Sequence, residues 1–399
     1  MDDDILSQGG DREPSRWPHR LAVIGAPVLV GVAAIVYLSV AHHSHSPAPA
    51  PSASVTGTAP ASVSLAAPGQ PPEPDGIGGP TLPWAESLRL PVTGTRPAWF
   101  SPATGRSEPI GSLPADSAGY QFIRVDGGWA VQANPAGKTA CGDCAVPPLP
   151  VWFVADGTHS VTRLGTANQV APAASAGAVW LTSYPSAAGT AAGTAREVSL
   201  AGAPLGPPVR LPPGSMIYQA TDRGLLLAPT AQRPGTPVYQ LWNPADPRAV
   251  PTFDAVIAAS PAEIAWTPPC AATCGVQLFN LATGRQTAVK LPAGSSVAGG
   301  AFSPSGGFLA LQLTASADGA LAMRLEVASV TSGRLTAVPG TLVSSDALVG
   351  FGWPAGGDDL VAEFIFASKA QLASWHPGAA RLAVAVIRPG QDQTRLVVG

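Results

Sequence analysis

The sequence predicts an all-β protein in which a four-stranded unit repeats behind an apolar N-terminal segment. Three observations carry this prediction. The first is an uncharged apolar run at Leu21–Ala41, and the second is a long stretch rich in Pro, Ala and Ser that follows it. The third is a series of short alternating or β-branched runs separated by Gly, Pro, Asp and Asn, a pattern typical of strands and turns.

The apolar run is long enough to span a membrane. A helix of this length, at ~1.5 Å per residue, crosses the ~30 Å hydrocarbon core of a bilayer. Arg12, Arg16 and Arg20 precede the run, and no Lys or Arg follows it before Arg89. Because positive charge favours the cytoplasmic side, we expect a cytoplasmic tail at 1–20, a single transmembrane helix at 21–41 and an extracytoplasmic remainder.

A cleaved signal peptide is the alternative to a retained anchor. Ser39-Val40-Ala41 resembles the small-x-small site at which signal peptides are cut, and cleavage after Ala41 would give a secreted protein. The run is longer than the ~7–15 apolar residues of a signal peptide, and the preceding tail carries several Asp and Glu residues, which favours the anchor. Both interpretations deliver the rest of the chain outside the cytoplasm.

A disordered Pro/Ala/Ser-rich linker is expected at 42–83. Its composition offers too little apolar surface to offset the entropy of ordering the chain. His42, His43 and His45 lie at its start, and we assign no metal to them. The linker therefore predicts a spacer that holds a folded domain at 84–399 away from the membrane.

Composition limits the classes of partner. The formal net charge is −3, only 12% of residues are charged, and no basic run with interleaved aromatic residues is present. Nucleic acid is therefore not an expected partner. The richness in Ala, Gly, Pro and Val is typical of a GC-rich genome such as that of an actinobacterium.

A hairpin with glycine at its turn recurs along the folded part. Its clearest copies are WFSPATGR (Trp99–Arg106), FNLATGR (Phe279–Arg285) and VASVTSGR (Val327–Arg334), with looser copies at Trp152–Gly157 and Leu241–Arg248. The strands that enter such hairpins start near residues 97, 150, 195, 237, 275, 322 and 380. These intervals are close to the roughly 40–50 residues of a propeller blade. We therefore predict a seven-bladed β-propeller whose first blade is incomplete at its start; six or eight blades, or an array of β-sandwiches, are the alternatives.

The last two units align with each other strand by strand. We expect the second, third and fourth strands at Phe308–Thr314, Met323–Val330 and Arg334–Val338 in one unit, and at Leu360–Phe366, Arg381–Ile387 and Thr394–Val398 in the next.

A family resemblance rests on Ala301–Ala310, AFSPSGGFLA. It resembles the Phe-Ser-Pro-Asp-Gly-x-x-Leu-Ala motif of TolB-type, WD40-like β-propeller repeats, with Ser305 in place of the usual Asp. The resemblance implies a β-propeller fold. It implies no particular activity, because propellers host many unrelated functions.

The four cysteines form two local pairs, Cys141 with Cys144 and Cys270 with Cys274. Outside the cytoplasm they are expected to be oxidised, and of the three possible connectivities the local one is favoured because the pairs fall in different blades. A zinc site or a redox-active CxxC motif is the less favoured interpretation, so we expect no metal and no cofactor.

Both cysteine pairs fall between the second and third strands of their blades, and this connection is also long at Pro185–Thr194, Thr230–Thr236 and Ser368–Ala379. In a propeller these loops share one end with the connections between blades; we call this end the crossover face. Long loops at one end predict a recognition surface, although they could equally be tolerated insertions. The candidate partner-binding residues are Trp375, His376, Lys369, Lys138, Asp143, Tyr184 and Arg233, whereas Trp129, Trp152, Trp180, Trp266 and Trp353 are expected in the core.

Linear enzyme motifs are absent: the sequence contains no Gly-x-Ser-x-Gly, no His-Glu-x-x-His and no phosphate-binding loop. Asp358, Asp359 and Glu363 cluster near a turn, where acids are most often solvated. The sequence therefore favours a non-catalytic module that binds a protein or an envelope component. The alternatives are a sensor or solute-binding ectodomain, and an envelope hydrolase or lyase that uses carboxylates in the channel.

Overall fold

The structure is a computed structural model that describes residues 76–77, 83–93, 96–111, 113–114, 117–135, 147–185, 191–230, 236–246, 251–269, 275–317, 320–344, 347–354, 357–366 and 369–387. The expected cytoplasmic tail, membrane helix and most of the linker lie outside these residues. Within the described part of the chain, no helix has the length and apolar character needed to cross a membrane.

Seven antiparallel sheets, the blades, follow one another along the chain. Blade 1 holds β1 (Leu90–Val92), β2 (Ala98–Ser101) and β3 (Arg106–Pro109), and blade 2 holds β4 (Ser117–Val125), β5 (Gly128–Pro135), β6 (Leu149–Ala155) and β7 (Val161–Ala167). Blade 3 holds β8 (Gln169–Pro172), β9 (Ala178–Ser183), β10 (Thr194–Ser199) and β11 (Val209–Arg210), and blade 4 holds β12 (Ser215–Thr221), β13 (Gly224–Pro229), β14 (Val238–Trp242) and β15 (Thr252–Asp254).

The remaining blades repeat this order. Blade 5 holds β16 (Val256–Ala259), β17 (Glu263–Trp266), β18 (Val276–Asn280) and β19 (Gln286–Val289). Blade 6 holds β20 (Ser295–Phe302), β21 (Phe308–Ala317), β22 (Ala320–Ser329) and β23 (Leu335–Ala337), with the short β24 (Val343–Ser344) also paired to β22. Blade 7 holds β25 (Leu348–Gly352), β26 (Leu360–Phe366), β27 (Lys369–Trp375) and β28 (Ala383–Ile387).

The first strands of neighbouring blades form the inner ring: β4 contacts β8, β8 contacts β12, β16 contacts β20, and β20 contacts β25. Seven apolar clusters fill the seams between adjacent blades, one cluster for each seam. The predicted seven-bladed β-propeller is therefore confirmed. Among the described residues blade 1 has only three strands, in agreement with the expectation that it is incomplete at its start.

The seam between blades 7 and 1 closes the ring by side-chain packing. Leu90 and Phe100 of blade 1 pack against Val361 and Leu372 of blade 7, and Trp84 covers this cluster. Ile77, in the expected linker, is also buried: it packs between blades 6 and 7, and its backbone N–H donates to Gln371 Oε1 at 2.7 Å. The chain before β1 thus covers two consecutive seams.

The recurring glycine turns connect third to fourth strands. Gly105, Gly284 and Gly333 have φ values of 67°, 71° and 68°, which only glycine adopts without strain. In each turn the glycine N–H donates at 2.8 Å to the carbonyl four residues earlier, on Ser101, Asn280 and Ser329 respectively. Because the three turns share this geometry, their sequences share the glycine, and this produces the repeat seen in the sequence. We call this end of the propeller, which also carries the first-to-second-strand turns, the turn face.

The strand assignment predicted for the last blade is wrong. β27 occupies Lys369–Trp375, where a loop was expected at Ser368–Ala379, so Ala383–Ile387 is the fourth strand and not the third. β27 pairs with β26 and β28, and its central residues are buried on both faces, so it lacks the alternation of a half-exposed strand. Thr394–Val398, expected as the fourth strand, lies outside the described residues.

Candidate functional site

Because Lys369–Trp375 is a strand, residues that were expected to share one loop lie at opposite ends of blade 7. Lys369 begins β27 at the crossover face, whereas Trp375 ends it and His376 follows it at the turn face. Seven residues of extended strand place the two ends roughly 20 Å apart. Trp375 is 2% exposed and donates its indole N–H to the Ala379 carbonyl at 2.8 Å, so it is a core residue. The expectation that Trp375 is an exposed loop residue is therefore wrong.

Tyr184 lies at the crossover face, where it was expected. Its hydroxyl donates to Gln169 Oε1 at 3.0 Å, and the Ser215 carbonyl lies 3.4 Å away, so the side chain joins the first strands of blades 3 and 4. Burial raises the pKa of Tyr184 well above its ordinary value. Tyr184 thus supports the loop that follows β9, and a contact between it and a partner stays a prediction.

The remaining expected site residues lie outside the described residues. These are Lys138, Asp143, Arg233 and the four cysteines, Cys141, Cys144, Cys270 and Cys274. The strands around them agree with the predicted position of the cysteine pairs, between β5 and β6 and between β17 and β18. Disulfide pairing therefore stays a prediction.

Exposed apolar side chains are concentrated at the crossover face. Among the described residues five large hydrophobic side chains are exposed, and four of them lie at this end: Val238, Leu321, Leu342 and Ile365. They occupy the beginning of a third strand, the connection between two blades or the end of a second strand. The fifth, Leu205, lies between β10 and β11 at the turn face. Apolar residues grouped at one end are typical of a protein-binding surface.

A small pocket on blade 6 is lined by one of these leucines, Leu342. It has a volume of about 150 Å³, and its lining includes Pro292, Ala293, Leu313, Ala322, Leu342 and Arg324. An apolar cavity of ~150 Å³ holds a benzene ring, so a Phe or Leu side chain fits it by size. The pocket is therefore suited to one apolar anchor residue. Leu321 is 49% exposed and precedes Ala322 in β22, so it points to the other face of the sheet and is not part of the lining.

An ion pair lies next to this pocket. Arg324 Nη2 is 2.7 Å from Glu326 Oε1, and both residues belong to β22. Burial raises the pKa of Glu326, and the neighbouring Arg324 opposes this shift. The Arg324 side chain is about one-third exposed, and its Nε is buried without a hydrogen-bond partner among the described residues.

The turn face carries the described histidines and most of the acids that sequence reasoning singled out. His376 Nδ1 lies 2.8 Å from Asp359 Oδ1, and the neighbouring Asp358 accepts a hydrogen bond from the Ser305 hydroxyl at 2.8 Å. His159 Nδ1 lies 2.9 Å from the Pro109 carbonyl. Within the part of the chain that the structure describes, no Ser, Thr or Cys side chain bonds either imidazole, and no three His, Cys, Asp or Glu residues form a metal-binding group.

Three carboxylates are buried within blades. Glu263, Glu326 and Glu363 lie on second or third strands of blades 5, 6 and 7, and not on the first strands that form the inner ring. Asn280 donates to Glu263 at 3.1 Å, and burial raises the pKa of Glu263 although Asn280 and Arg285 oppose this shift.

Sequence reasoning missed Leu321, Leu342 and Arg324. Their exposure depends on the end of the strand at which each residue lies and on the insertion of β24. Neither feature produces a recognisable pattern in the neighbouring sequence. It also missed the segment Trp84–Arg89, which directly follows the Pro-rich linker and shows no alternation of apolar and polar residues.

Solved structures similar to this chain include two proteases and TolB. A prolyl endopeptidase aligns with 80% of this chain and 50% of its own, with a TM-score of 0.51 and 11% identity, so this chain spans about half its length. The β-propeller domain of the Trilobed protease from Pyrococcus furiosus aligns with 74% of this chain and 90% of its own, with a TM-score of 0.48 and 9% identity. TolB from Acinetobacter baumannii aligns with 79% and 80%, with a TM-score of 0.37 and 10% identity.

No protein-family model and no curated protein matches the chain. At these identities the structural likeness shows the fold alone. The expected β-propeller architecture is confirmed by the seven antiparallel sheets of the structure itself.

Proposed function

We propose that this chain is a non-catalytic interaction module that binds another protein through the crossover face of its propeller. The single observation that carries this proposal is the concentration of exposed apolar side chains at that face. Exposing four large hydrophobic residues at one end costs solvation free energy in the free protein, and a bound partner would recover it.

The blade 6 pocket supplies the features of an interface centre. Binding energy at protein interfaces is concentrated in a few anchors that fill small desolvated pockets, often beside an arginine. Leu313 and Leu342 offer apolar walls, while Arg324 offers a charge-assisted hydrogen bond at the edge. A suitable partner would insert one Phe or Leu side chain between the apolar walls and place a carboxylate within hydrogen-bonding distance of Arg324.

The N-terminal segment fits the same proposal. An anchor at 21–41 and a linker at 42–83 would present the propeller outside the membrane, in reach of other envelope proteins. Long, mobile tethers raise the effective concentration of a domain near partners in the same membrane. The module is therefore proposed to act as an envelope scaffold.

A pair of surface variants tests the proposal. In-cell crosslinking of the tagged full chain, followed by mass spectrometry, identifies the copurifying protein. We expect Leu321→Asp combined with Leu342→Asp to remove it, and Leu205→Asp at the turn face to retain it. Leu205 is a matched control because it is 53% exposed, close to the 49% of Leu321 and Leu342. Retention of the partner by the double variant would overturn the proposed face.

A further inference from the structure

A second concave site lies at the opposite end of the propeller, where blade 7 meets blade 1. It is a cleft of about 490 Å³ on the turn face, within the range of small-molecule sites. Its walls come from the chain before β1, the turn between β6 and β7, and the two turns of blade 7. The lining residues that matter are Trp84, Arg89, Asp156, Asp359, His376 and Arg381.

Each acid in this cleft already has a hydrogen-bonding partner. Both oxygens of Asp156 accept hydrogen bonds from Arg124, at 2.6 and 2.8 Å. Asp359 lies 2.8 Å from His376 Nδ1. Neither carboxylate is therefore the natural counterion of the cleft's remaining arginines.

Two guanidinium groups lack a carboxylate partner among the described residues. Arg381 is exposed and makes no hydrogen bond or ion pair with any of them. Arg89 donates through Nη1 to the backbone carbonyls of Glu86 and Leu88, which positions its side chain without neutralising it. The lining holds two arginines and two carboxylates, and because Asp156 and Asp359 are engaged by Arg124 and His376, Arg381 is the group that can bind an acid entering the cleft.

One wall of the cleft is aromatic and aliphatic. Trp84 is 9% exposed and is held by the closing seam, and Leu88 lies beside it in the lining. The indole Nε1 of Trp84 is buried, and no acceptor for it exists among the described residues. A cleft lined by both an indole and a guanidinium is suited to a ligand with an apolar body and one acidic group.

We propose that this cleft binds an organic anion, with its carboxylate or phosphate at Arg381 and its apolar part against Trp84 and Leu88. This activity is separate from partner binding at the crossover face. Because one wall is the chain that leads into β1, an occupied cleft would hold this segment against blade 7. Ligand binding would thus stabilise the closing seam of the ring.

The test uses three probes that share a phenyl ring on the full chain: benzoate, the neutral benzamide of nearly the same shape, and phenyl phosphate. Isothermal titration calorimetry gives the affinity of each. We expect at least one of the two anions to bind about tenfold or more tightly than benzamide, and the preference between the anions identifies the acidic group. Equal affinities for all three probes, or no binding by any of them, would overturn the proposal.

Variants locate the bound anion. Arg381→Gln is expected to abolish the preference for the anion, Arg381→Lys to keep part of it, and Arg210→Gln to leave it unchanged. Arg210 is an exposed arginine at the edge of blade 3, far from the lining. Loss of anion preference in Arg210→Gln, or its persistence in Arg381→Gln, would show that the anion binds elsewhere. Partner capture by the same variants separates this result from the proposed function, since Arg381→Gln should leave it intact.

Discussion

Leu205 and Leu321 are exposed to almost the same degree, 53% and 49%, yet they lie at opposite ends of the propeller. Leu321 has exposed apolar companions at its end, whereas Leu205 has none among the described residues. This contrast is the observation on which the proposed binding surface rests.

Gly333 is the turn glycine with the least room for a side chain. A Cβ at this position would lie 2.4 Å from the Ala288 carbonyl oxygen, whereas a Cβ on Gly105, in an equivalent turn, would meet nothing within 4 Å. We expect Gly105→Ala to cost about 1–2 kcal/mol from the positive φ alone, and Gly333→Ala to cost clearly more. Urea denaturation of both variants measures the difference. Equal losses would show that the contact between blades 5 and 6 yields without strain.

Trp375 and His376 are neighbours in sequence with opposite roles. Trp375→Ala removes a fully buried indole and should destabilise the domain by about 3–5 kcal/mol. His376→Ala removes an exposed hydrogen bond with Asp359 and should change stability by less than ~1 kcal/mol. Thermal unfolding of the two variants checks this. A small effect of Trp375→Ala would contradict the placement of this residue in β27.

Glu263 makes stability depend on pH. Burial raises its folded-state pKa above the unfolded value of about 4.3, so its protonated form contributes stability that is complete below that pH and lost as pH rises through the folded pKa. Glu263→Gln keeps a neutral group that can still accept from Asn280. We expect it to raise the melting temperature at pH 8, with the gain vanishing toward pH 4.

The exposed Glu86 provides the control for this experiment, because Glu86→Gln removes a carboxylate without changing a buried charge. A Glu263→Gln variant that is less stable than the wild type at pH 8 would show that the ionised carboxylate is favourable in its site.

Much of the fold could be read from the sequence because its signals are local. Turn glycines at fixed spacing, such as Gly284 and Gly333, and strands that alternate apolar and polar residues repeat once per blade. The β27 strand, KAQLASW, was missed because neighbouring strands and blades bury its central residues on both faces, including the polar Gln371. The burial of β27 depends on the neighbouring strands and blades, so no short stretch of the sequence predicts it.

The sites were predicted less well than the fold for the same reason. The position of the crossover face follows from the topology once the strands are assigned. The exposure of Leu342, however, depends on the insertion of β24. The cleft is lined by both Arg89 and Arg381, which lie near opposite ends of the propeller sequence. Residues distant in sequence meet at the closing seam, where a single sequence gives no pairing information.

The most direct measurement is site-specific photocrosslinking in cells. A benzophenone amino acid replaces Leu321 in one version of the full chain and Leu205 in another. The account predicts that the same partner protein is captured from position 321 and not from position 205. Capture from position 205 alone, or from neither position, would contradict the crossover face as the binding surface.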